Sequence, residues 1–410
     1  MDFTRVSENL KARGYAVQCF STAREAADYL NGAIDGRTVA FGGSVTLDQL
    51  GLYERLGTHN RVLWHQRQGT GGDGRPDPRK EGLAADVYLT SVNALTEDGE
   101  LLNIDRTGNR LASILYGPGK VCFVVGRNKL CPTYEEALRR ARNVAAPRNV
   151  RRLGGQDPLR RRGTAVPRLQ EPGPAVPIPA GALGPHAGPG GPGGAHRRGS
   201  GLLSPYHKEE RAMDFTRVSE NLKARGYAVA CFATAREAAD YLDRTVDGRT
   251  VGFGGSATLT KLGLYERLGT HNRVLWHWRA EGRQQEVMEA CLRADVYLTS
   301  VNALSEDGVL INIDRFGNRL AATLYGPGKV CFVVGRNKLC PTYEEALRRA
   351  RNVASPQNAR RIGCRTPCVA GGGCYDCKSP ERICRGLTVL WGPMLGREAE
   401  VVLIDEDLGY

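Results

Sequence analysis

Residues 294–338 read ADVYLTSVNALSEDGVLINIDRFGNRLAATLYGPGKVCFVVGRNK, and the fold is decided by this stretch. Its runs VYLTSV, VLINI and KVCFVVG are short, apolar and rich in β-branched residues, and Gly, Asp and Asn bound them. That pattern marks buried strands rather than helices. The segment LINIDRFGNRLAATLY adds a hairpin or a crossover helix. Working outward, FTRVSENLKARGY has the apolar spacing of a helix and AVACF that of a strand. TAREAADYL is a second helix, with Thr234 placed as its N-cap. TVGFGG is a buried strand entering a Gly-Gly-Ser turn, and the helix TLTKLGLYERL follows it. RVLWHW is a strand, QQEVMEACL a helix, and a closing helix starts at Thr342. Strands alternating with helices predict an α/β fold with a mainly parallel sheet covered on both faces, in three layers.

Nearly the same letters occur at 85–129, and the repeat extends far beyond them. MDFTRVSENLKARGYAV at Met1 returns at Met213, and LGLYERLGTHNRVLWH at Leu50 returns at Leu262. A period of this size is a domain duplication, not a solenoid. Copy one covers 1–149 and copy two 213–358, the latter continuing into a tail, 359–410. The copies differ at one internal site. Copy two reads EGRQQEVMEACLRADVY, whereas copy one reads GTGGDGRPDPRKEGLAADVY, whose Gly and Pro forbid a long helix. Copy one also lacks the cysteine-bearing tail.

Between the copies lies 150–212, rich in Pro, Gly and Arg, which composition marks as a disordered linker. With suitable synonymous codons, its letters are compatible with an out-of-frame relative of TPCVAGGGCYDCKSPE and of the terminal WGPMLGREAEVVLIDEDLGY. Lys208-Glu209-Glu210 can be encoded as a bacterial ribosome-binding sequence just before Met213. The segment therefore reads as two adjacent bacterial genes joined by a frameshift, in the genome or in its reading. An evolved flexible linker is the alternative.

The net charge of +13 raises the prospect of nucleic-acid binding. Its distribution argues against it: 150–212 holds ten Arg/Lys and four Asp/Glu, nearly half the excess, and the rest lies on solvated helix faces such as EEALRRARN. No apolar run reaches the ~18 residues of a membrane span, and the start has no secretory apolar region, so a cytoplasmic location is expected.

Three groups carry candidate chemistry. The first is the strand–GGS–helix turn, Gly42, Gly43 and Ser44 in copy one and Gly254, Gly255 and Ser256 in copy two. Glycines let a ligand approach the backbone, and the helix start offers free N–H groups to an anion. The second follows the central strand: Ser300, Asn302, Asp314, Asn318 and Arg319, matched by Ser91, Asn93, Asp105, Asn109 and Arg110. Dense Asn, Asp and Arg at strand ends suit a polar, carboxylate or phosphate-bearing ligand. Lys338 at the end of KVCFVVGRNK reads as a solvated lysine, with contact to an anion the alternative, and His277 as a structural or surface residue. No dinucleotide fingerprint, Walker loop or serine-hydrolase elbow is present.

The third group is Cys364, Cys368, Cys374, Cys377 and Cys384. Five cysteines in a short Gly/Pro-rich loop of a cytosolic chain suggest a metal rather than disulfides. Four of them, Cys368, Cys374, Cys377 and Cys384, would hold one zinc ion or one iron–sulfur cluster, with Cys364 spare. Redox or reduced structural thiols are the alternative. The remaining cysteines read as core residues.

FGGSxTLxxLGL, the long central stretch and the tail TPCVAGGGCYDCKSPERIC closely resemble LUD-domain, lactate-utilisation proteins. The resemblance spans nearly all of 213–410 and most of 1–149. It implies a fold akin to the sugar-phosphate isomerase and CoA-transferase superfamily, and association with L-lactate oxidation beside iron–sulfur subunits. It transfers no catalytic residues. Three functions follow: a component of iron–sulfur lactate oxidation, an enzyme or binding protein for a small anionic or CoA-like ligand, or a non-catalytic metal-binding accessory.

Overall fold

A computed structural model describes residues 3–71, 74–152 and 215–410. The expected disordered linker therefore lies outside the described residues, apart from 150–152, which close the helix Ala146–Arg152. The chain divides into two compact units, Pro147–Ala212 and a larger one that unites Met1–Ala146 with Met213–Tyr410. The larger unit carries both copies.

Copy one contains β1 (Thr38–Phe41), β2 (Arg61–Leu63), β3 (Val87–Thr90), β4 (Ala94–Thr96), β5 (Leu101–Leu102), β6 (Lys120–Phe123) and β7 (Leu130–Cys131). The order β2-β1-β3-β6 makes a four-stranded sheet, all parallel, and β5-β4-β7 a small second sheet.

Copy two contains β8 (Ala228–Phe232), β9 (Thr250–Phe253), β10 (Arg273–Trp276), β11 (Val296–Thr299), β12 (Ala303–Ser305), β13 (Leu310–Asp314), β14 (Lys329–Gly335), β15 (Leu339–Cys340), β16 (Gly386–Leu390) and β17 (Glu398–Ile404). Its main sheet runs β10-β9-β11-β14-β17-β8, entirely parallel, and β15-β12-β13-β16 forms the second. The hairpin β12–β13 and the helix Asn318–Leu324 both arise from the stretch expected to give one or the other.

The tail is thus structural as well as cysteine-bearing. β17 inserts between β14 and β8, pairing Glu400 with Ala228 and Lys329 with Glu398. Among the described residues copy one has no such strand, and the consequence is local. Its 16–20, AVQCF, forms no strand, because the only partner of the equivalent β8 is β17. Val330, Phe332 and Val334 are buried in copy two, whereas Val121, Phe123 and Val125 are only partly so. Full burial of such a side chain contributes about 1.5–3 kcal/mol, so copy one forgoes several kcal/mol and keeps an open sheet edge.

Local chemistry explains the helices. Thr234 and Glu237 form a reciprocal capping box on Ala235–Thr245. The single helix expected over 258–268 is two, because Gly263 adopts φ +61 between Ala257–Lys261 and Leu264–Leu268. Gln284–Cys291 is the expected helix; copy one replaces it with one turn, Pro78–Glu81. Copy two carries its own core: one buried cluster joins Leu242, Phe253, Leu259, Leu298, Val333 and Ile404, with no residue from copy one. A second cluster is shared, with Ala112 of copy one among Leu304, Ala321, Ala322 and Leu324. No described helix is long and apolar enough to cross a membrane.

Candidate functional site

β9 and β11 are parallel neighbours with Phe253 beside Leu298, so the GGS turn and Ser300 leave the sheet at one edge. The Gly254 amide donates to the Leu298 carbonyl at 2.8 Å. A Cβ on Gly254 would lie 2.7 Å from Thr299 Oγ1 and 3.1 Å from the Tyr297 hydroxyl, so only glycine fits without displacement. Gly255 faces the ring of Trp278, which stacks on Trp276 at 5.3 Å with the Arg361 guanidinium 4.7 Å from it.

The centre of the site is Lys338. It is 3% exposed, and its Nζ donates to Thr258 Oγ1 and to Ser300 Oγ, both at 2.7 Å. Ser300 in turn donates to the Val333 carbonyl at 2.5 Å, and Thr258 to the Leu408 carbonyl at 3.1 Å. The expectation of a solvated lysine is overturned. The cause is the chain end: Gly409, at φ +71, lies over Thr258 and Lys338. Burial holds the Lys338 amine well below its ordinary value, and the Arg349, Arg319 and Lys261 charges push it further down.

The 314–319 loop reaches the same end of the sheet: Asp314 and Arg319 both act on the Tyr297 phenol, which lies against Gly254. The Asp314 carboxylate accepts the Arg315 amide at 2.8 Å and the Arg319 amide at 3.1 Å. The Arg319 guanidinium reaches Asn312 Oδ1 at 2.7 Å, the Ile313 carbonyl at 2.6 Å, Asn302 Oδ1 at 3.2 Å and the Ser300 carbonyl at 3.3 Å. Arg349 donates to the carbonyls of Asn302 and Asn337 and to a main-chain oxygen of the terminal Tyr410. These acceptors of Arg319 are all neutral, so its hydrogen bonds are satisfied while its charge is not. His277 also belongs here. Burial lowers its pKa, the Asp314 charge opposes that, and its buried Nδ1 has no hydrogen-bond partner among the described residues. Tyr297, fully buried, is raised well above the ordinary phenol value by burial, with Arg319 and Asp314 in electrostatic reach.

Gly254, Gly255, Ser300, Asp314 and Arg319 are therefore brought to one end of the fold. Three expected residues serve the scaffold instead. Ser256 is buried and caps its helix through the Leu259 amide, Asn302 Oδ1 accepts the Ile313 amide at 2.7 Å, and Asn318 is buried at a helix start. The letters rank Lys338 as solvated ahead of anion-contacting, and they give no site role to His277 or Trp278. The available signal was position: Lys338 closes the single turn Arg336–Lys338 between the mostly buried β14 and the buried β15, which leaves it little path to solvent.

Copy one repeats much of this. Gly42 sits 2.7 Å, measured from a notional Cβ, from Thr90 Oγ1, Gly43 faces Gln66, and Ser44 caps the Leu47 amide. Ser91 accepts from Lys129 Nζ at 2.5 Å, Asn93 Oδ1 accepts the Ile104 amide, and Asp105 accepts the Arg106 and Arg110 amides. Asn109 Oδ1 accepts the Thr107 hydroxyl, and Arg110 donates to the Ile104 carbonyl. Without a tail to cover it, Lys129 is less buried and its pKa is lowered only to about 8, by burial first and then by Arg140 and Arg110.

The five tail cysteines separate. Cys364 and Cys368 pack with Ala359, Ile383 and Val369 in an apolar cluster. Cys374, Cys377 and Cys384 lie nearer one another, beside guanidiniums: Arg382 donates to Cys384 Sγ at 3.3 Å, and Arg351 feels Cys374. Among the described residues no group of three or more His, Cys, Asp or Glu is arranged to hold a metal ion.

The family model for the LUD domain matches twice, over 3–160 and 215–404. No curated protein matches this chain. Among solved structures, a DUF162 family protein from Deinococcus radiodurans is similar at 17% identity and a TM-score of 0.30, covering 46% of this chain and 94% of that one.

Proposed function

Because the chain belongs to the LUD-domain family, with the domain present twice, we propose that copy two binds a small carboxylate or phosphate-bearing metabolite of lactate utilisation. The residues that would hold it are those of the GGS turn and the 314–319 loop. One observation carries this reading, the balance of charge. Arg319 and Arg349 flank the Lys338 amine; of the nearby carboxylates, Asp407 bears on Arg349, and Asp314 is itself bonded to two backbone amides. Two guanidiniums, Arg319 bonded only to neutral oxygens, beside an amine whose pKa is pressed down by them, favour an incoming anion. His277 Nδ1 and the Tyr297 hydroxyl supply polar groups at the margin of the site, and Trp278 an aromatic wall. The lysine, held below its ordinary pKa, can take up a proton when an anion arrives. Work beside iron–sulfur subunits of L-lactate oxidation extends this reading and is supported by family membership alone.

Titration calorimetry of the full chain with L-lactate, pyruvate and inorganic phosphate tests it. Binding of one of them is expected, weakened at least tenfold, or about 1.4 kcal/mol, by Arg319→Met and left unchanged by Arg110→Met. No binding of any of the three, or equal losses in both variants, would refute it.

A further inference from the structure

The helices Asn109–Leu115 and Asn318–Leu324 are equivalent in the two copies and pack on each other. Their contacts come in matched pairs. Gly108, at φ +82, lies so close to the Leu324 carbonyl that a Cβ would overlap it, and Gly317, at φ +85, does the same to the Leu115 carbonyl. The equivalent tyrosines Tyr134 and Tyr343 also meet. Such pairing is the signature of an isologous, two-fold interface.

One part of the interface has no match. The tail of copy two crosses onto copy one: Met394 covers Gly108, and the Leu395 amide donates to the Arg106 carbonyl at 3.0 Å. Trp391 lies under the Arg142 guanidinium at 4.6 Å, and Lys378 Nζ donates to Asn9 Oδ1 at 3.0 Å. Copy one's sequence has no such tail to return the contact. On copy two the equivalent loop is accordingly open. Phe316 is 61% exposed, and the Arg315 carbonyl accepts no backbone amide among the described residues. This is the loop that carries Asp314 and Arg319.

We propose that residues 213–410 alone form a two-fold dimer, in which a second copy takes the place of copy one and its Pro393–Leu395 turn caps the 314–319 loop. The occupant is set by the near-identity of the interface letters in the two copies, GNRLA and YGPGK, and by the tail that only copy two carries. Fusion would then have filled one half of a symmetric assembly with a partner unable to complete the other half.

Copy two has a complete six-stranded sheet and a core of its own, so it can be tested as a fragment. Light scattering should give 213–410 the mass of a dimer and the full chain the mass of one chain. Amide exchange across 314–318 should be about tenfold slower in the fragment than in the full chain. Gly317→Val, whose side chain would overlap the partner helix, should lower the dimer fraction. A folded monomer, a fragment that does not fold, or a dimer with unprotected 314–318 each overturns the proposal.

Discussion

Replacing Lys338 by Met separates a buried lysine kept for stability from one kept for binding. The substitution removes two hydrogen bonds from Nζ, to Thr258 and Ser300, each with a net worth of about 1 kcal/mol. It leaves no orphan, since both hydroxyls keep the carbonyls of Leu408 and Val333. It also removes the cost of burying an amine among Arg319, Arg349 and Lys261. The less buried Lys129 gives the scale: a fall from 10.5 to about 8 corresponds to about 3 kcal/mol, an upper bound because that amine is partly solvated. Lys338 is pushed in the same direction by fuller burial, so Lys338→Met should be neutral or stabilising by about 1–2 kcal/mol at pH 7. The pH dependence has a definite sign. Below the folded-state pKa the penalty is complete. Between that value and 10.5 only the unfolded chain holds the proton, so wild-type stability climbs with pH, and above 10.5 the penalty is gone. Urea unfolding at pH 7 and pH 10 should show this climb in the wild type and a smaller one in Lys338→Met. Anion affinity should meanwhile fall at least tenfold, or about 1.4 kcal/mol. A loss of more than about 3 kcal/mol of stability with affinity unchanged would make Lys338 a structural residue and refute the reasoning.

Two further outcomes follow from the geometry. Gly254→Ala places a methyl 2.7 Å from Thr299 Oγ1 and should cost about 1–3 kcal/mol of copy two stability, measured by thermal unfolding, with anion binding weakened too. The tail cysteines are tested by metal analysis of anaerobically prepared protein: about one zinc ion, or iron with sulfide, per chain is expected if Cys368, Cys374, Cys377 and Cys384 gather around one centre, and metal-free protein with a folded tail would leave them reduced thiols.

The α/β class, the repeat and the internal helix lost from copy one could all be read from letters. Periodicity and turn chemistry act locally, and these features depend on little else. What escaped depends on contacts distant in sequence. EVVLI looks like an ordinary strand, yet its insertion between β14 and β8 decides whether AVACF is a strand at all. Lys338 follows an apolar run and looks solvated until the chain end folds over it at Gly409. Gly317 reads as turn chemistry, and its need for glycine comes from the carbonyl of Leu115, two hundred residues away. The cysteines were grouped by sequence spacing, but Cys364 and Cys368 pack with Ile383 while Cys384 faces Arg382.

The most direct measurement is proton uptake on anion binding, by calorimetry of the full chain at about pH 8 in buffers of different ionisation enthalpy. An anion that enters beside the Lys338 amine opposes the effect of its burial and raises its pKa, so net proton uptake on binding is predicted, and Lys338→Met should abolish it. Binding with no proton uptake, or uptake that persists in Lys338→Met, would contradict the account.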